Sequence, residues 1–258
     1  CSAQRPCQHP LRAHPSNILS QHPSANPVPP RHADMMLKIC GMRDPENIMS
    51  VSCLTPMLIG FIFHAGSPRN AEGLDPKIVK DLPPYVRPVA VFVNATAPEI
   101  TDITTRYGIR VIQLHGEEPP QFCSDMRRRG FAVIKAIKIP AGADSSFLSL
   151  LEPYRGNVDM LLFDTSGKAP GGNGYKFDWS LLDNYSLDIP YMLSGGIGPD
   201  DINAVKEAMK PGLAGIDLNS RFETSPGFKD VAKLSNFIIQ LRKLNEHEPI
   251  DRPFWEKA

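Results

Sequence analysis

From Leu37 onward, short runs of β-branched and aliphatic residues alternate with helical patterns, the signature of a parallel sheet covered by helices. The cycles number eight. With the first 34 residues set aside, 224 remain, near the short end of the roughly 200 to 400 that a closed (β/α)8 barrel occupies. An open doubly wound sheet normally carries GxGxxG after its first strand, and this chain has Cys40-Gly41-Met42-Arg43 there. The sequence therefore predicts an α/β fold, a (β/α)8 TIM barrel over residues 35 to 258 as a single domain, with the open sheet as runner-up.

In chain order the strands fall at 36 to 40, 57 to 63, 87 to 93, 110 to 114, 132 to 138, 158 to 163, 190 to 194 and 213 to 218. A helical stretch follows each. Four open near an aspartate (Asp44, Asp75, Asp144 and Asp178), whose carboxylate can accept from the unpaired amides of a first turn. Three open near a proline (Pro98, Pro119 and Pro199), whose fixed φ suits that turn. The last begins near Gly227.

Residues 1 to 34 break this rhythm. They hold seven prolines and four of the seven histidines, with almost no apolar periodicity, so they bury too little surface to offset the entropy of ordering and are expected to form a disordered leader. Their longest apolar run, Ile18-Leu19, is too short for a secretory signal. The irregular histidine spacing does not make a metal site.

Composition narrows the function. With 41% hydrophobic and 22% charged residues the chain has material for a full core. Lys+Arg and Asp+Glu both number 28, so there is no basic field for nucleic acid and no polybasic segment for a membrane surface. The expected partner is a small molecule. Cys1, Cys7, Cys40, Cys53 and Cys123 are odd in number, scattered and without CxxC pairing, and they read as reduced thiols of a cytoplasmic protein with no metal centre. No apolar run approaches the roughly 20 residues of a membrane helix.

In a barrel, the loops at the carboxyl ends of the strands gather on one face and build the active site. Cys40 stands at the end of the first strand, before a glycine turn; buried cysteines are also common core fillers, so position alone leaves both readings open. After the second strand, Gly66-Ser67-Pro68-Arg69 presents one guanidinium suited to a carboxylate, or else a solvated loop arginine. Gln113 and His115 share a face at the end of the fourth strand, with His115 at the rim as a ligand contact or a hydrogen-bonding scaffold. Asp164 follows the apolar run Val158 to Phe163; partial desolvation there favours a protonated carboxyl group able to act as a general acid, while a turn cap is the simpler alternative. Next comes a long loop with Gly171, Gly172 and Gly174, then Ser194-Gly195-Gly196-Ile197 and Asp217-Leu218-Asn219-Ser220-Arg221. Glycine-rich turns in consecutive units on one face let backbone amides approach an anion, and loops seven and eight of such barrels often bind phosphate.

Taken together, Lys38-Ile39-Cys40-Gly41, Gly60-Phe61-Ile62-Phe63 with Ser67-Pro68-Arg69, Gln113-Leu114-His115-Gly116, Asp164 with Gly171-Gly172-Asn173-Gly174, Ser194-Gly195-Gly196 and Gly215-Ile216-Asp217 resemble the phosphoribosylanthranilate isomerase family, in the family's order. The resemblance covers residues 38 to 223 and not the leader. It implies a (β/α)8 barrel that needs no cofactor and catalyses an Amadori rearrangement in tryptophan biosynthesis. N-(5-phosphoribosyl)anthranilate opens its ring, loses a proton from C2′ and becomes the 1-deoxyribulose 5-phosphate product. Asp164 matches the general acid that protonates the ring oxygen, and Cys40 matches the general base that removes the C2′ proton as a thiolate. Arg69 matches the residue that binds the anthranilate carboxylate, with Gln113 and His115 in the substrate pocket. Phosphate is expected on Gly172, Gly174, Gly195, Gly196, Asn219 and Ser220. The expected assembly is a monomer or homodimer, which the sequence does not choose between.

Two departures stand out. Asn173 replaces a threonine common in the glycine loop, and Asn219-Ser220-Arg221 replaces small residues and glycine; Arg221 either strengthens phosphate binding or pairs with Glu223. Another sugar-phosphate isomerase or epimerase, and a barrel that only senses a phosphosugar, remain as alternative functions. The first would call for a metal or a second carboxylate in place of Cys40. The second would tolerate loss of Cys40 and Asp164.

Overall fold

A computed structural model describes residues 35–165 and 177–244. The expected leader, the loop carrying Gly171, Gly172, Asn173 and Gly174, and the tail from 246 onward lie outside the described residues.

Eight parallel strands close into a barrel: β1 (Met36–Ile39), β2 (Leu58–Ile62), β3 (Arg87–Phe92), β4 (Val111–Leu114), β5 (Ala132–Ile139), β6 (Met160–Thr165), β7 (Tyr191–Leu193) and β8 (Leu213–Leu218). Closure is made by β1 on β8, with Lys38 opposite Asp217 and Ile39 opposite Leu218. All eight expected strands are present. The sixth is displaced: it starts at Met160 and runs through Thr165, so Asp164 lies within the strand, opposite Lys138 of β5.

The helices are α1 (Pro45–Ser52), α2 (Pro76–Lys80), α3 (Ala97–Tyr107), α4 (Pro120–Arg128), α5 (Ser145–Ser149), α6 (Ile202–Glu207) and α7 (Val231–Leu244). Aspartate caps form as expected: Asp44 accepts from the Asn47 amide, Asp75 from Lys77 and Asp144 from Ser146. Asp178 accepts from Ser180 but opens a 3-10 turn, Trp179–Asn184, in place of an α-helix. Before α3, Thr96 and Glu99 cap each other's backbone amides, so Pro98 falls inside the first turn. Two expected starts move later. After β7 the helix begins at Ile202. After β8 a small hairpin, β9 (Glu223–Ser225) with β10 (Phe228–Lys229), precedes α7, because Gly227 turns the chain back and Lys229 pairs with Glu223.

Strand alternation sorts the core into two layers. Met36, Leu58, Val89, Val91, Val111, Ile134, Met160, Leu162 and Met192 fill the barrel. Ile39, Phe61, Phe92, Ile112, Val133, Leu161 and Phe163 face outward against helix residues such as Ile48, Val51, Ile100, Leu234 and Phe237. Fully burying one such side chain contributes about 1.5–3 kcal/mol. Two lysines interrupt these layers. Lys38 points inward, and Lys135 of β5 points outward to Glu118, 2.9 Å away, and to the carbonyl of Gly116. Among the described residues no helix is long and apolar enough to cross a membrane.

Candidate active site

The inward positions at the carboxyl ends of the strands gather the titratable side chains of the candidate site. Cys40 continues the line of β1: its amide donates to the Leu218 carbonyl of β8, and the Met42 amide to the Gly60 carbonyl of β2. The side chain is buried, and its sulfur lies over Gly60. A Cβ on Gly60 would fall 2.8 Å from Cys40 Sγ and 3.1 Å from Lys38 Nζ, so this glycine leaves the space that thiol and ammonium share. Lys38 Nζ donates to Asp217 Oδ1 at 3.0 Å, and Ser194 Oγ lies 3.5 Å from Asp217 Oδ2.

Burial pushes the Cys40 thiol up from its ordinary value, against the Lys38 charge, its main opponent, and that of Lys229. Burial also raises Asp217, although Lys38 acts against it, and Asp164 and His115 lie within its electrostatic reach. For Lys38, burial works against the charged form, but Asp217 and Cys40 outweigh it and hold the ammonium.

Across the mouth, Gln113, His115 and Asp164 form a line. The Gln113 amide nitrogen is 2.7 Å from His115 Nδ1, and His115 Nε2 is 3.1 Å from Asp164 Oδ2. The other carboxyl oxygen accepts from the Thr165 amide at 2.9 Å. Gly195 covers it from β7: with φ at +83°, an added Cβ would stand 2.6 Å from Asp164 Oδ1. Gly195 and Gly196 both have positive φ and form the turn at the end of β7.

The loops after β2 and β8 are joined by buried charge. Arg69 grips Glu223 with Nε to Oε1 at 2.9 Å and Nη2 to Oε2 at 2.6 Å. Lys229 Nζ bridges Glu223 Oε1 and Asn219 Oδ1, and Lys229 is anchored through its backbone to the Asn47 side chain. Arg69 is thus a buried residue in a bidentate pair, not a loop arginine in water. Pairing of Arg221 with Glu223 is not what forms, because Arg69, Lys229 and the Gly227 amide occupy that carboxylate. Asn219 turns its side-chain oxygen to Lys229, and Ser220 opens a 3-10 turn.

Cys40, Gln113, His115, Asp164, Gly195 and Gly196 lie at one mouth of the barrel. The sequence alone assigns no role to Lys38, Asp217 or Lys229, and offers Glu223 only as a partner for Arg221. For Lys38 a signal was available: a lysine two residues before Cys40 in an apolar strand shares its inward face.

The family model for N-(5'-phosphoribosyl)anthranilate (PRA) isomerase matches residues 37–240. A curated N-(5'-phosphoribosyl)anthranilate isomerase of Parabacteroides distasonis is 42% identical over 209 residues, 80% of this chain and 93% of that protein. The solved phosphoribosyl anthranilate isomerase of Thermotoga maritima superposes with a TM-score of 0.70 at 30% identity, over 81% of this chain and 98% of its own. A further solved isomerase, described as a complex with reduced 1-(o-carboxyphenylamino)-1-deoxyribulose 5-phosphate, gives a TM-score of 0.68 at 28% identity, over 81% and 99%. With matches of this extent on a closed (β/α)8 barrel, the chain belongs to the phosphoribosylanthranilate isomerase family of tryptophan biosynthesis.

Proposed function

We propose that this barrel converts N-(5-phosphoribosyl)anthranilate to 1-(2-carboxyphenylamino)-1-deoxyribulose 5-phosphate with Asp164 as general acid and Cys40 as general base. Asp164 protonates the furanose oxygen as the ring opens to an iminium. The Cys40 thiolate then removes the C2′ proton, giving an enolamine. Protonation at C1′ and loss of the 2′-hydroxyl proton complete the ketone, so no proton is gained or lost overall.

One observation carries the reading. An inward thiol at the end of β1 and a carboxyl group at the end of β6 share one mouth, with Asp217 in reach of both. Binding energy at the substrate's two ends holds the reacting carbons between them. The Arg69 fork, gripped by Glu223 on Nε and Nη2, keeps Nη1 for the anthranilate carboxylate. Phosphate falls to the Gly195-Gly196 turn and the Asn219-Ser220 loop, completed by Gly172 and Gly174. The complex of a solved relative with a reduced product supports a ligand that is a carboxylate at one end and a phosphate at the other.

Turnover of freshly generated phosphoribosylanthranilate, followed by loss of its fluorescence without added metal, tests the assignment. Activity that collapses in Cys40→Ser and in Asp164→Asn, with binding of the reduced product retained, is the expected result. A wild type that binds phosphosugars without turnover makes the barrel a sensor instead. Sedimentation of the full chain decides between monomer and homodimer, and fractionation of the source cells tests the cytoplasmic location.

A further inference from the structure

The reaction needs a thiolate, and the site as it stands favours a thiol. Burial removes water from around Cys40, and an ordinary cysteine is already mostly protonated at neutral pH. Activation must therefore come from groups that face the sulfur. From β1 itself there is Lys38; from β8, Asp217, which Ser194 just past β7 approaches; from β10, Lys229. β2 contributes only the bare backbone of Gly60. His115 and Asp164 act at longer range, through Asp217. Lys229 is committed to Glu223 and Asn219, which leaves Lys38 as the cation whose ammonium reaches both the sulfur and a carboxylate.

These groups hold one cation for two acids. When Asp217 is the anion, Cys40 is the thiol, and the 3.0 Å pair of Lys38 with Asp217 is that state. The complementary state has the same total charge, with the proton on Asp217 and the negative charge on sulfur.

We propose that Lys38 and Asp217 are positioning residues that make the Cys40 thiolate by internal proton exchange, a step that rests on the assignment of Cys40 as general base. An N–H bond of the Lys38 ammonium breaks as an O–H bond forms on Asp217. The S–H bond breaks as an N–H bond forms on the amine so freed. Lys38 ends with three protons and its charge, and nothing is exchanged with solvent. Burial disfavours the anion on sulfur and on oxygen alike, and the Lys38 charge stabilises either one.

The titration of Cys40 tests this independently of turnover. Thiolate absorbance is followed against pH for the wild type and each variant, subtracting the matching Cys40→Ser protein to isolate one thiol. Asp217→Asn removes the competing anion and is expected to move thiolate formation to lower pH by about one unit or more. Lys38→Met removes the cation and is expected to move it up by a similar amount. Lys38→Arg keeps the charge and the fold but holds its protons too tightly to pass one on; its thiol is expected to titrate lower than in Lys38→Met, while kcat falls at least tenfold. Equal titration in wild type and Asp217→Asn, or shifts of the same sign in Asp217→Asn and Lys38→Met, overturns the exchange. Full kcat in Lys38→Arg overturns the relay. Retained turnover in Cys40→Ser would instead remove the general-base assignment, whatever the titration reads.

Discussion

His115 Nε2 stands 3.1 Å from Asp164 Oδ2, while its Nδ1 is 2.7 Å from the Gln113 amide, so one ring joins a buried amide to the proposed general acid. An amide nitrogen on Nδ1 places the ring proton on Nε2, where it donates to the ionised carboxylate. With the amide turned, Oε1 accepts from Nδ1, and Nε2 is left to accept from the protonated acid. Gln113 Oε1 is buried without a partner among the described residues, so this turn breaks no bond that Oε1 makes. Each tautomer thus suits one protonation state of the Asp164 carboxyl group, as the proposed general-acid role requires.

Gln113→Met keeps the bulk and removes both amide functions. A general acid contributes about 10²- to 10⁴-fold, and on the proposed role of Asp164 the loss of the amide that directs His115 is expected to forfeit about tenfold of that in kcat, with a smaller change in KM. Wild-type kcat in this variant would show that the amide does not direct the ring.

Gly195→Ala is expected to be damaging on two counts. The residue is left-handed, and its Cβ would meet Asp164 Oδ1 at 2.6 Å. The backbone strain costs about 1–3 kcal/mol, and displacement of the carboxyl group costs activity besides. Thermal melting and turnover measured together check both; a variant that keeps wild-type values in each contradicts the packing described.

Lys135 and Glu118 form a buried pair outside the barrel, and Glu118 also accepts from the Asn94 and Gly116 amides. Lys135→Met strands that carboxylate, at an expected cost of about 3–5 kcal/mol, whereas Lys135→Met with Glu118→Gln recovers most of it. Urea unfolding of the two variants measures the difference. Additive losses would mean that the pair is not coupled.

Glu223 gives a pH dependence with a definite sign. Burial works to raise its pKa, but the Arg69 hydrogen bonds and the Lys229 charge prevail and hold it below the usual carboxylate range. A carboxyl group held low when folded adds stability that is fully present above its unfolded value near about 4.3 and is lost as pH falls through the folded value. The gap in unfolding midpoint between wild type and Glu223→Gln is therefore expected to be wide at neutral pH and to narrow in acid. A constant gap would place the carboxylate's contribution elsewhere than in its charge.

Much of this molecule is legible along the chain because the governing interactions are local. Alternation in each strand, an aspartate before a first turn and a glycine after a strand end depend on neighbours within a few residues, and they determine eight strands, most helix starts and the strand-end positions of Cys40 and Asp164. The displaced sixth strand and the 3-10 turn after it depart from that pattern through strand pairing and packing that a local signal does not carry. The charge partners are another matter. Lys38 meets Asp217 across 179 residues, and Arg69 meets Glu223 across 154, because β1 closes on β8 and brings the first two loops against the last. A lysine in an apolar strand announces that some anion awaits it. Which carboxylate answers, and that the same ammonium also reaches a thiol, is decided only when the barrel closes.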